Sequence, residues 1–89
     1  MQLKGTIQIW KKGKWFVARC PELDFVSQGN SPEEAKRHLL EVIQIQFEEM
    51  EAMGSLDDYL QECGYSRENE TFEPNTEMIG FEKSLIQVA

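Results

Sequence analysis

The chain of 89 residues lacks most of what marks an enzyme or a membrane protein. It has one histidine, His38, and two cysteines, Cys20 and Cys63, too far apart for a CxxC pair. That leaves little for a zinc site or a thiol redox centre. No run of about 18 apolar residues occurs, so a membrane-spanning helix is not expected. The first residues, Met1 to Thr6, contain no apolar core of a signal peptide. The expectation is a cytoplasmic protein with reduced thiols. Neither repeats nor low-complexity tracts are present, and the GxxxxGK[ST] phosphate loop is missing. Acidic residues are absent from the first 21 positions.

What is present is unevenly spread. The net charge is −7. Residues 1–21 carry +5 through Lys4, Lys11, Lys12, Lys14 and Arg19, while residues 41–77 carry −10. Nucleic-acid binding is driven by neutralising phosphates, so an acidic chain is a poor candidate for it and a better one for a basic protein. A solvated acidic coat is the plainer alternative. One domain, residues 1–89, is expected. A chain of this size buries only about 60% of its unfolded surface, which makes oligomerisation a natural remedy.

Residues 3–10 alternate in polarity as a strand does. Lys11 to Lys14 reads as a turn, with Trp15 to Cys20 as the returning strand. Pro21 ends that strand, and Phe25 to Gln28 makes a third. Ser31-Pro32-Glu33-Glu34 is a compact helix start, with a capping serine, proline at the first helical position and a capping-box glutamate. Ala35, Leu39, Val42, Ile43, Phe47 and Met50 then fall on one helical face, with Gln46 as its polar exception. Leu40 and Ile45 lie off that face. Gly54 suits the helix stop, and a short helix is expected from Leu56 to Cys63. Residues 65–77 are polar without periodicity and read as a loop. Ser84 to Val88 reads as a last strand that returns to the sheet. The fold class is therefore α+β, in the order β-β-β-α-(short α)-β, a small antiparallel-type sheet with one long helix on one face.

Candidate chemistry is thin. His38 shares a helix face with Glu34 and Glu41, but three such residues on a charged helix are more simply solvated, so no metal site and no cofactor is expected. Asp57 and Asp58 point about 100° apart on a helix and do not form a carboxylate pair. Cys20 has no convincing base and reads as a small buried side chain. No nucleophile, base and orienting group come together, so no catalytic residue is assigned. Lys11, Lys12 and Lys14 beside Trp10 and Trp15 offer a stacking surface for single-stranded nucleic acid; the simpler reading packs both tryptophans across the hairpin.

One segment goes further. Pro21-Glu22-Leu23, then Val26-Ser27-Gln28-Gly29, then Asn30 to Ala35, together with Gly13 ahead of Trp15-Phe16, resembles the signature of the HicB-like antitoxin family, especially its short stand-alone members. The resemblance covers residues 5 to about 65. It implies a reduced RNase H-like fold and an antitoxin that silences a HicA-type mRNA-cleaving toxin. From its small size the chain is expected to be a homodimer or higher oligomer, and from its length it is expected to lack the DNA-binding domain that many members of that family append. Such toxins are basic, as RNA binders must be. The acids expected to meet one are Glu22, Asp24, Glu48, Glu49, Glu51, Asp57 and Asp58. The alternatives are an orphan regulatory or structural oligomer, and a weak single-strand binder using the basic hairpin.

Overall fold

The computed structural model describes residues 2–89. Six strands and two helices follow in the order β1 (Gln2–Leu3), β2 (Gln8–Lys12), β3 (Trp15–Cys20), β4 (Phe25–Gly29), α1 (Pro32–Met53), α2 (Leu56–Glu62), β5 (Tyr65–Glu68) and β6 (Thr71–Pro74). The α+β class holds. There are two three-stranded sheets, ordered β2-β3-β4 and β1-β6-β5. The first is antiparallel throughout; in the second, β1 runs parallel to β6.

The first strand departs from the expected continuous run over residues 3–10. Residues 4–7 leave the ladder, so one segment supplies β1 to one sheet and β2 to the other. The cause is long-range. Glu22 accepts from the Thr6 backbone N–H at 3.0 Å and from the Thr6 hydroxyl at 2.5 Å. The Tyr65 hydroxyl donates to the Lys4 carbonyl at 2.7 Å. The strand then extends through Lys12, and the turn tightens to Gly13-Lys14, with Gly13 at φ 63°.

Helix α1 begins as its sequence dictates. The Ser31 hydroxyl accepts from the Glu34 N–H at 3.1 Å, and the Glu34 carboxylate reaches back to the Asn30 N–H at 3.2 Å. The reciprocal bond of the capping box thus falls one residue earlier than usual. Gly54 closes the helix in the left-handed region. Ala35 and Leu39 are fully buried, while Ile43 and Phe47 pack against the core. Leu40 and Ile45 lie off this stripe and are exposed.

The core joins α1 to the inner faces of β3 and β4 and to α2. Its buried members are Ala18, Cys20, Leu23, Ala35, Leu39, Leu60 and Tyr65. Phe25 meets Phe47 edge-on at 6.4 Å and stacks on Tyr59 at 6.1 Å. Gly29 lets β4 approach the first turn of α1: a Cβ there would sit 2.6 Å from the Ala35 nitrogen. His38 Nδ1 donates to the Gln28 carbonyl at 2.8 Å, a second tie between the same two elements.

Two expectations fail in the last third of the chain. Residues 65–77 are not a loop; they contain the β5–β6 hairpin, turned at Asn69, whose φ is 57°. Tyr65 is its anchor, buried and bonded to the first strand, and Arg67 lies over the Phe72 ring at 5.9 Å. The expected strand at Ser84–Val88 does not form. Residues 77–89 carry no regular structure and all are exposed. No strand of either sheet pairs with these residues, and the two sheets end at β1, β5, β2 and β4 without them.

Candidate partner-binding surface

The Pro21–Asp24 step, which carries part of the family resemblance, has structural duties at three of its four positions. Pro21 closes β3. Glu22 holds the bend at Thr6 and accepts a weak bond from the Cys20 thiol at 3.6 Å. Leu23 is buried, and its carbonyl accepts from the Tyr59 hydroxyl at 2.7 Å. Asp24 alone is exposed, in the left-handed region at φ 57°.

These ties shift the titrations nearby. Burial pushes the Glu22 carboxyl up, but the bonds from the Thr6 hydroxyl and N–H outweigh it, and the net shift is downward. Burial also pushes the Cys20 thiol up, assisted by the negative charge of Glu22. Tyr59 is pushed up to about 12, by burial first and then by Cys63 and by Asp24. Tyr65 is raised further, again by burial first. Each shift follows from a group that ties two elements together.

The acids expected to meet a partner are not gathered at one point. Glu22 is engaged internally. Asp24 lies beside Tyr59 of α2, close enough for its charge to act on that phenol. Glu48, Glu49 and Glu51 are exposed on the last turns of α1, and Asp57 and Asp58 on the first turn of α2. Glu48 is within reach of Gln44, whose amide donates at 3.3 Å. The two ion pairs among the described residues, Lys4–Glu73 and Arg37–Glu41, involve none of these acids.

The structure does bring Glu51 and Asp57 together. Both line an open groove of about 430 Å³ where α1 meets α2 and the β1–β6 pair. Leu3, Phe47, Leu56, Leu60 and Phe72 supply its apolar lining. Asp57 also borders the adjoining depression lined by Arg67, Phe72 and Asn75. An apolar floor with acids at the rim is chemistry for a protein side chain flanked by lysine or arginine. Sequence reasoning named Glu51 and Asp57 and missed the floor, because Leu3 and Phe72 reach it only through the parallel β1–β6 pair.

A second surface is the outer face of the β2-β3-β4 sheet. The register puts Gln8, Trp10, Lys12, Trp15, Val17, Arg19, Val26 and Gln28 on one side, away from α1. Trp10 is 58% exposed, Trp15 52% and Val26 59%. The tryptophans are thus not buried against one another.

Among the described residues no three of His, Cys, Asp and Glu converge as a metal site would need. None of the helices described is long and apolar enough to cross a membrane. No protein-family model, curated protein or solved structure matches the chain.

Proposed function

We propose that this chain is a non-catalytic protein-binding module of the antitoxin type, which captures a small basic protein in the acid-rimmed groove between α1, α2 and the β1–β6 pair. The observation that carries the reading is the juxtaposition of Glu51 and Asp57 over an apolar floor, within a stretch of net charge −10. The resemblance of residues 21–35 supplies the partner class, a HicA-type mRNA-cleaving toxin. Binding would silence such a toxin by covering the basic surface that its RNA needs. A non-catalytic role agrees with the titrating groups: Glu22, Cys20, Tyr59 and Tyr65 are each occupied in holding elements together.

The test uses the purified chain and the small basic protein encoded beside it. Calorimetry at low and moderate salt should give an affinity that falls as salt rises. The pair Glu51→Lys and Asp57→Lys should weaken it by at least about tenfold and flatten the salt dependence. Cleavage of RNA by the partner should stop when the chain is added. Failure of any basic neighbour to bind, or binding indifferent to the charge reversals, sinks the groove reading. Binding without inhibition of RNA cleavage keeps the module and removes the toxin.

A further inference from the structure

The most anomalous part of the molecule is the arm of residues 77–89. Ile79, Phe81, Leu85, Ile86 and Val88 are between 84% and 105% exposed. They contact no core, yet their composition is that of a strand. The arm enlarges the whole molecule. The chain exposes 7253 Å², against about 5,400 Å² for a compact monomer of 10.3 kDa. Its radius of gyration is 15.3 Å, where a compact domain of this length has about 12 Å. The excess surface is about 1,900 Å², more than twice the roughly 800 Å² that each partner buries in a standard interface.

We infer that this arm is a strand exchanged between two copies of the chain, pairing with the open edge of β2 in the second copy. The sheet order leaves β2 bonded to β3 alone. Its residues expose apolar side chains on both faces, Ile9 on the side of α1 and Trp10 on the other. An exposed edge with apolar side chains on both faces is a template for another strand. The other edges suit the arm less: β1 is only two residues long, too short to pair with most of the arm. β4 is engaged by His38 at Gln28 and by the start of α1 at Gly29. β5 presents Ser66, Arg67 and Glu68, all exposed and polar.

The arm matches what β2 offers. In an extended conformation Ile79, Phe81 and Leu85 fall on one side and Ile86 and Val88 on the other, so both faces of the added strand carry apolar side chains. Backbone bonds along the edge would supply affinity, and contacts with Ile9 and Trp10 the register. Exchange in both directions gives a closed twofold dimer, with no edge of β2 left for further addition. A nucleic-acid strand is the poorer occupant for this surface, because a chain of net charge −7 repels phosphate.

Sedimentation of the full chain from about 1 to about 100 µM tests the exchange, since dimers dissociate on dilution. The wild type should run at twice the chain mass. The double variant Phe81→Asp and Leu85→Asp should weaken the dimer by at least about 100-fold and lose only the strand signal of the arm, with the helical circular dichroism retained, because these side chains are almost fully exposed in the single chain. Trp10→Glu, on the receiving strand, should do the same. In a Cys63→Ser background, one tagged chain with Ile86→Cys is mixed with a differently tagged chain with Gln8→Cys. A disulfide joining the two tags supports exchange. A wild type that stays monomeric at the highest concentration overturns it, as does a dimer that survives the arm substitutions. A disulfide formed only when both cysteines are on one chain means the arm folds back on its own sheet, and also overturns it. So does quenching of tryptophan fluorescence by oligouridine in a chain that never dimerises.

Discussion

Removing the Glu22 carboxylate should cost stability at a point far from any partner. Glu22→Ala deletes the acceptor for the Thr6 N–H and hydroxyl, at 3.0 and 2.5 Å, and for the Cys20 thiol. Bonds to charged acceptors contribute about 1.5–3 kcal/mol each in protected sites. This one is partly exposed, so about 1 kcal/mol for each Thr6 bond is the better figure, or about 2 kcal/mol together. For a domain of this size that lowers Tm by about 8–16 °C. Glu22→Gln keeps one acceptor and should lose about half as much. The pH dependence has a definite sign. The folded carboxyl titrates below its ordinary 4.5. Its contribution is therefore complete above 4.5 and lost as pH falls through the folded value. Thermal melts of the wild type and Glu22→Gln, from neutral pH downward, should draw together in that acid range. Thr6→Val combined with Glu22→Ala should cost less than the sum of the two. The reasoning fails if Glu22→Ala moves Tm by less than about 2 °C, or if the two melts stay equally far apart through the acid range.

Two other perturbations probe the framework. Gly29→Ala would place a methyl group 2.6 Å from the Ala35 nitrogen and 2.9 Å from the Glu34 carbonyl carbon, backbone atoms of a capped helix start that cannot swing aside. A loss of about 2–3 kcal/mol in urea unfolding is expected, and a loss below about 0.5 kcal/mol would show that α1 shifts freely against β4. Tyr59 and Tyr65 both favour the neutral phenol in the fold, Tyr59 being pushed up to about 12. The unfolded phenols release their protons near their ordinary 10, so stability holds below that pH and falls as it rises toward the folded values. Phenolate absorbance should stay low through pH 10 and then rise together with unfolding; normal titration of either residue contradicts the buried bonds to Leu23 and Lys4.

The long helix was legible to the residue because its signals are local: Ser31, Pro32 and Glu34 at one end and Gly54 at the other. The strands around Phe16 and Phe25 were legible for the same reason. Three features were not. The bend at residues 4–7 interrupts a good alternating pattern, and its cause is a glutamate sixteen residues away in sequence. The β5–β6 hairpin has strands of four residues, with Tyr65 and Phe72 as their two large apolar side chains, too few to show a period. The residues from Ser84 to Val88 have strand composition, but composition does not say which edge a strand joins, and within one chain none of the edge strands β1, β2, β4 and β5 takes it up. Of the candidate site, the acids were visible as a charge run. The floor of the groove was not, since it is assembled from α1, α2, β1 and β6.

The two proposed surfaces have consequences for each other. The groove is built by α1, α2, β1 and β6, whereas the receiving edge is β2, and no residue belongs to both. Arm exchange would therefore leave each groove open, and a dimer would present two of them. Two grooves on one body raise the apparent affinity for a clustered or oligomeric partner without any new contact, provided that both can be reached at once. Phe81→Asp with Leu85→Asp should then leave affinity for a monomeric partner unchanged, while Glu51→Lys with Asp57→Lys should leave the dimer intact. If the arm variant also abolishes capture of a monomeric partner, the groove and the β2 edge are not independent, and the partner sits across the dimer rather than on one chain.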